Sequence, residues 1–327
     1  MKLIIQIPCL NEEQTLPVTL KDLPKEIEGV DIIETLVIDD GSTDNTIETA
    51  RNNGVNHIIK FTNNKGLAEA FMAGLDASLK LGADIVVNTD GDNQYNGEDI
   101  EKLVQPIVLG EADFVVGDRQ VNRIDHFSGT KKKLQVLGSW VVKQVSNTDV
   151  PDATSGFRAI SREAALKMNV ITKFSYTLET IIQAGKKNLA VSHVPVSTQE
   201  KLRESRLFKS IPSYIKRSML TIFRIYLMYE PLKTFLRIGG IVFGSGMLIS
   251  GRFLYFWMTG NGGGHIQSLI LSAVLMMIGF QVIMIGLVAD LIGGNRRLIE
   301  DALYRVKKIE LNQHKGTNGK HKQNKQK

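Results

Sequence analysis

From Ile266 to Ala289 the chain carries no Lys, Arg, Asp or Glu, and that run constrains the fold more than any other feature of the sequence. A helix rises about 1.5 Å per residue, so such a stretch reaches across the roughly 30 Å hydrocarbon core of a bilayer. The core helix of a soluble domain is the competing reading, and it is rarely so long or so uniformly apolar. About Thr234 to Trp257 forms a second candidate span, interrupted by Arg237 and Arg252. Arg252 lies near the far end, where a long side chain snorkels to the interface beside Tyr255 and Trp257. Only the glycine-rich stretch Met258 to His265 separates the two, which predicts a helical hairpin with a short outer loop. Basic residues crowd its other flanks: Lys201, Arg203, Arg206, Lys209, Lys216, Arg217, Arg224 and Lys233 before it, Arg296, Arg297, Arg305, Lys307 and Lys308 after it. That excess puts both termini on the cytoplasmic side of the cell membrane.

At 327 residues the chain has room for one sizeable domain ahead of the hairpin. Between them, Ser210 to Glu230 sets Ile211, Tyr214, Ile215, Leu220, Phe223 and Leu227 against Lys216, Arg217 and Arg224. That spacing suits a helix lying in the headgroup plane, as its place before the hairpin suggests. The first apolar stretch is short and broken by Pro8, Asn11 and Glu12, so it reads as a core strand and not as a secretory peptide. The single cysteine, Cys9, excludes an internal disulfide, and His57, His126 and His193 have no metal-ligand spacing. The net charge of +6 is partly a Lys-rich tail. With no nucleic-acid-binding pattern beside it, the tail suits anionic lipid, and no nucleic-acid partner is expected.

The N-terminal part alternates apolar strands with helical stretches, and its strands end in acids. Asp84 to Thr89 runs into Asp90-Gly91-Asp92; Glu34 to Ile38 runs into Asp39-Asp40, followed by Gly41-Ser42-Thr43-Asp44; Lys2 to Ile7 runs into Pro8-Cys9-Leu10-Asn11-Glu12-Glu13. An isolated Asp-x-Asp is usually a solvated turn, but open parallel sheets bind ligands outside the carboxyl ends of their strands. Adjacent carboxylates there repel one another unless something cationic or donor-rich lies opposite. A further strand, Asp113 to Gly117, ends in Arg119, whose guanidinium matches a phosphate bidentately.

The order Pro-x-x-Asn-Glu, Asp-Asp-Gly-Ser-x-Asp, Asn-Lys-Gly at 64–66 and Asp-Gly-Asp-x-Gln resembles the nucleotide-sugar half of a glycosyltransferase family two enzyme. Gly117 to Arg119, Lys131 to Lys133, Ser155 to Phe157, Glu179 and Arg203 to Leu207 extend the likeness to the polyprenyl-phosphate glycosyltransferases, the group of dolichyl-phosphate mannose synthase. Asp-Gly-Asp-Asn-Gln stands where Asp-Ala-Asp-Leu-Gln is usual, and Tyr95-Asn96-Gly97 where prolines are common.

The resemblance implies an α/β fold: a GT-A type, Rossmann-like nucleotide-sugar domain, then the interfacial helix and the two-helix transmembrane hairpin. The expected division is a cytoplasmic catalytic domain over 1–200, a basic acceptor loop and interface helix over 201–232, transmembrane helices over 233–292 and a basic, partly disordered tail over 293–327. It implies inverting transfer of a hexose from a UDP-glucose- or GDP-mannose-type donor to a polyprenyl or dolichyl monophosphate. Asp90, Asp92 and Gln94 would hold Mg²⁺ or Mn²⁺, with Asp92, Gln94 and Arg119 at the chemistry. Pro8, Asn11, Glu12, Asp39, Asp40, Lys65 and Asp90 would hold the donor. Arg119, Lys132, Lys133, Ser155, Arg203 and Arg206 would take the acceptor phosphate. Glu179 is either a sugar contact or a helix-capping carboxylate. Asp39 and Asp40 do not separate uridine from guanosine, since both bases offer ring N–H donors. Gly239, Gly240, Gly244 and Gly246 would permit a homo-oligomer through the hairpin. A processive polysaccharide synthase would need more membrane helices and a Gln-x-x-Arg-Trp pattern, absent around Trp140 and Trp257; a noncatalytic adaptor would have no use for intact Asp90, Asp92, Gln94 and Arg119.

Overall fold

The computed structural model describes the backbone at residues 1–120, 129–172, 176–199, 211–260 and 262–323, and the side chains within those ranges except at 129–137, 211–216, 218, 262 and 314–323. Two compact units result, one of Met1–Ile222 with Tyr304–Lys327, the other of Phe223–Leu303.

The first unit is built on a seven-stranded sheet: β1 (Lys2–Cys9), β2 (Ile32–Asp39), β3 (His57–Lys60), β4 (Ile85–Asn88), β5 (Phe114–Asp118), β6 (Arg158–Ser161) and β7 (Val191–Pro195), in the spatial order β3-β2-β1-β4-β6-β5-β7. β1 is buried on both faces, which is why it reads as an unbroken apolar run. Leu3, Ile5 and Ile7 meet Val37, Val87, Val115 and Phe157 in one core. On the opposite face lies α3 (Leu67–Lys80), where Gly74 permits a close approach: a Cβ there would stand 2.6 Å from Gln6 Oε1 and 2.7 Å from Ile38 Cδ1. All neighbouring pairs are parallel except those of β6, which runs antiparallel to both β4 and β5. The sheet is therefore mixed, within the expected GT-A type, Rossmann-like class. β6 is only four residues long and begins at a buried arginine, so no strand periodicity marks it.

The parallel strands β1, β2, β4 and β5 therefore end on one edge. The order reverses between β1 and β4, and the loops after Cys9 and Asn88 flank that switch point, where such sheets bind ligands. The other helices of this unit are α1 (Leu16–Asp22), α2 (Thr46–Asn52), α4 (Asp99–Val108), α5 (Gly129–Ser146), α6 (Arg162–Lys167) and α7 (Tyr176–Lys186). Ser161 caps α6, its Oγ accepting from Ala164 N at 3.2 Å.

Helix α8 (Ile211–Tyr229) occupies the stretch expected to be amphipathic, and α9 (Pro231–Met258) and α10 (Ile266–Gln323) follow across a short 3₁₀ turn at Gly262–His265. Two helices, Pro231–Met258 and the one through Gly263–Gln313, are long and apolar enough to cross a bilayer. Within the second unit their seam is close. A Cβ on Gly239 would stand 2.8 Å from Gly279 O, and one on Gly246 2.9 Å from Ser272 O. These two glycines, expected at contacts between copies, are spent inside the hairpin; Gly240 and Gly244 meet nothing within 4 Å.

Through the segment expected as a partly disordered tail, α10 continues to Gln323. Its apolar residues keep helical spacing, and within the first unit Tyr304 OH donates to Glu163 Oε1 at 2.7 Å while Leu311 is buried.

Candidate active site

The loops after β1 and β2 are laced together. Asn11 adopts a positive φ of 55°, its N donates to Ser42 Oγ at 2.8 Å, and its Oδ1 accepts from Thr43 N at 2.8 Å. Glu12 N donates to Thr46 Oγ1 at 2.8 Å, while the buried Glu12 carboxylate accepts from Thr15 Oγ1 at 2.6 Å. Pro8 lies within β1, beside Ile38 of β2. Gly41 turns the second loop at φ 76°, and a Cβ there would strike the backbone of Asn63 and Asn64 at 2.7 Å.

Asp39 and Asp40, equivalent in sequence, differ in bonding. Asp40 accepts from the backbone N–H groups of Lys65 at 2.7 Å and Gly66 at 2.9 Å, fixing the start of α3. Asp39 is fully buried; its Oδ1 accepts from Ser42 N at 3.2 Å, and its Oδ2 has no partner among the described residues. A buried carboxylate oxygen without a donor is costly, and an incoming N–H would relieve it. The Lys65 ammonium rests 4.5 Å from the centre of the Phe61 ring.

Asp90 and Asp92 lie partly exposed in the loop after β4. Asp92 Oδ1 accepts from Gln94 N at 3.2 Å across Asn93, whose φ is 55°. The Asp90 carboxylate packs against Gly156, where a Cβ would stand 3.2 Å from Asp90 Oδ2 and 2.9 Å from Tyr176 OH. Beneath, Asn88 donates to Gly156 O at 3.0 Å and Tyr176 OH at 2.9 Å and accepts from Gln6 Nε2 at 2.9 Å. Phe71 stacks on Tyr176, and Tyr95 on Phe157. This floor excludes water, and burial together with the Asp90 charge pushes the Tyr176 phenol well up. Burial also raises the Cys9 thiol, with Glu12 and Asp39 adding to it, so that side chain packs as a small hydrophobe.

Among the described residues no group of three or more His, Cys, Asp or Glu could hold a metal alone. Two carboxylates and an amide oxygen, completed by phosphate oxygens and water, are the kind of sparse hard-oxygen set that suits Mg²⁺ or Mn²⁺ bound together with a diphosphate. By residue type, Asp90, Asp92 and Gln94 are chemically compatible with such an ion.

Arg119 stands at the tip of β5 on the expected edge, but its bidentate face is taken. Nε donates to Asp152 Oδ2 at 2.6 Å, and Nη2 to Asp152 Oδ1 at 2.9 Å and Thr154 Oγ1 at 2.7 Å. Burial opposes both charges, and each partner more than offsets it: Asp152 holds Arg119 above its ordinary value, and Arg119 holds Asp152 below. Ser155 and Glu179 both lie buried. The Ser155 Oγ accepts from Phe157 N at 3.4 Å within the loop beneath the site. Glu179 accepts from Ile171 N at 3.0 Å, Thr172 N at 2.9 Å and Thr172 Oγ1 at 2.6 Å, a structural role close to the capping alternative. Lys132, Lys133, Arg203 and Arg206 lie outside the described side chains.

Arg158 escaped the sequence reading. It is fully buried and its bonds go to Ser155 O, Thr177 O, Thr180 Oγ1 and Ala153 O, with the Phe114 and Tyr176 rings 5.6 Å and 5.7 Å away. Burial lowers it to about 10. It ties the 153–155 loop to α7, and only the contrast of an arginine after the apolar Phe157 hinted at it. Arg158→Met leaves several carbonyls unpaired but relieves a desolvated charge, for a net expected loss of about 2 kcal/mol, read by thermal unfolding.

Comparison with known proteins agrees with this architecture. The model of glycosyl transferase family 2 matches residues 4–168. The UDP-N-acetylglucosamine–dolichyl-phosphate N-acetylglucosaminyltransferase of Methanococcus voltae is 30% identical over 213 residues, covering 59% of this chain and 83% of that protein. The undecaprenyl-phosphate mannosyltransferase of Micrococcus luteus is 26% identical over 218 residues, covering 63% and 88%. Glucosyl-3-phosphoglycerate synthase from Mycobacterium tuberculosis, solved with Mn²⁺, UDP-glucose and phosphoglyceric acid, shares the fold with a TM-score of 0.56 at 21% identity, over 69% of this chain and 79% of that one. With the motif order, the strand order and the family match over half its length, the chain belongs to glycosyl transferase family 2.

Proposed function

We propose that the protein transfers a hexose, with inversion, from a nucleoside diphosphate sugar to a polyprenyl or dolichyl monophosphate at the cytoplasmic face of the cell membrane. The observation that carries this reading is the pairing, in one chain, of a donor-type acidic edge at Asp39, Asp90 and Asp92 with two helices long enough to cross a bilayer. The names of the Methanococcus and Micrococcus relatives, each with a polyprenyl-type phosphate acceptor, support it.

In this reading Asp39 Oδ2 accepts a ring N–H of the base, and the Pro8–Glu12 loop lines the ribose side. Asp90, Asp92 and Gln94 hold the divalent ion, which when bound supplies Lewis-acid stabilisation of the departing diphosphate. A lipid monophosphate needs no strong general base, since its second pKa of about 6 leaves it largely ionised at neutral pH. Arg119 contributes orientation and positive potential from its fixed pairing with Asp152, and the acceptor assignment of Lys132, Lys133, Arg203 and Arg206 rests on their order in the sequence.

The test is transfer of radiolabel from UDP- and GDP-sugars into organic-extractable lipid, with polyprenyl phosphate and Mg²⁺ or Mn²⁺. Chelator-sensitive lipid label establishes the reading and names the donor; no label from any donor with folded protein overturns it. The two adjacent acids should separate in the same assay. Asp39→Asn swaps an anionic acceptor for an amide and raises donor KM by roughly 10- to 100-fold with little change in kcat. Asp40→Ala strands two backbone donors and lowers stability by about 1–3 kcal/mol instead.

A further inference from the structure

The turn that carries Asp92 and Gln94 is not held by its own bonds alone. Its central residue, Asn93, is 4% exposed and sits at a positive φ, and its Nδ2 donates to Asp22 Oδ2 at 3.0 Å and to Gln199 Oε1 at 3.1 Å. Gln199 closes the triangle by donating from Nε2 to Asp22 Oδ2 at 3.4 Å, and its backbone N donates to Gln94 O at 2.9 Å. Tyr95 forms an isolated antiparallel bridge with Thr198.

Helix α1 holds the same loop at two more points. Thr19 Oγ1 donates to Gly91 O at 3.2 Å, and Gly97 packs so closely on the Asp22 carbonyl that any Cβ would collide with it. The Asp90–Gly97 loop is thus gripped from one side by the helix that follows the Pro8–Glu13 loop and from the other by the strand-like segment after β7.

We propose that Asp22, Asn93 and Gln199 form a clamp of positioning residues that sets the Asp92–Gln94 turn and thereby the affinity for the divalent ion. The inference rests on the reading of Asp90 and Asp92 as ion ligands. Asn93 and Gln199 do not touch the ion; they fix the backbone from which its ligands project. Partners of this kind, one bond removed from a metal's ligands, typically contribute about 10- to 100-fold to its affinity.

The test is Mn²⁺ titration of the full-length protein in detergent with UDP or GDP present, following the EPR signal of free Mn²⁺. Gln199→Met keeps the side-chain length and removes the bonds, and Asn93→Gly keeps access to the positive φ and removes the amide. Both are expected to bind Mn²⁺ about 10- to 100-fold more weakly than the parent, with kcat at saturating Mn²⁺ near the parent value. Loss of stability alone would not produce that pattern. Parent-like Mn²⁺ affinity in either folded variant overturns the clamp. A folded parent that binds no Mn²⁺ with either nucleotide, like Asp92→Ala, overturns the ion-site reading beneath it.

Discussion

Asp92→Ala lowers sugar transfer by about 10²- to 10³-fold while leaving the stability of the fold within about 0.5 kcal/mol of the parent. The two halves of that expectation come from the same geometry. Asp92 is partly exposed, and its hydrogen bond is the local one from Gln94 N at 3.2 Å, so its removal strands little that is buried. Yet in the proposed reaction it is a full negative charge beside the ion that stabilises the leaving diphosphate, at the moment when that charge develops. Gln94→Ala, which removes a neutral oxygen, costs less, because an ion–dipole contact is weaker than an ion pair at the same distance. Initial rates at rising Mn²⁺, set beside a thermal unfolding curve, check both halves. A rate near the parent would remove Asp92 from the chemistry.

Such separation of activity from stability explains what the sequence could reveal. Strands β1, β2, β4 and β5 were legible because burial on both faces demands apolar runs, and their acidic ends were legible because nothing in packing asks for them. The hairpin was legible for the same kind of reason, since lipid tolerates few charges. What composition cannot show is which donor stands opposite an acid. Asp39 and Asp40 are adjacent and alike, and only the approach of the Lys65 and Gly66 N–H groups tells the packed one from the one with an oxygen to spare. Nor does composition show that Ser155 and Glu179 are buried, or that Glu179, open between a sugar contact and a cap, accepts from the Ile171 and Thr172 N–H groups. The short antiparallel β6 was illegible because its first residue is a buried arginine, whose acceptors come from residues as distant as Thr177 and Thr180.

Asp152 presents the opposite case: a residue whose loss should be felt in the fold. Asp152→Ala leaves Arg119 charged, 9% exposed and without its carboxylate, for an expected loss of about 3–5 kcal/mol. Much of that is the penalty of an orphaned charge and not the worth of the pair. Asp152→Leu combined with Arg119→Met should therefore cost less than the two single changes added together, and a double-mutant cycle by thermal unfolding measures the difference. Acidity probes the same bond without mutation. Asp152 is held below its ordinary value of 3.8, chiefly by the Arg119 charge working against the cost of burial. Its contribution is therefore complete above that value and is lost as pH falls through the lower, folded one. Across neutral pH the pair gives no slope, and the acid limb of the parent's stability curve should flatten in Asp152→Ala. An equally steep limb in both would place the acid sensitivity in other carboxylates. The cycle bears on function as well, because the same pair aims Arg119 at the edge where the strands end. If the double variant regains stability yet transfers sugar slowly, with acceptor KM raised, Arg119 serves the acceptor; recovery of both would make the pair purely structural.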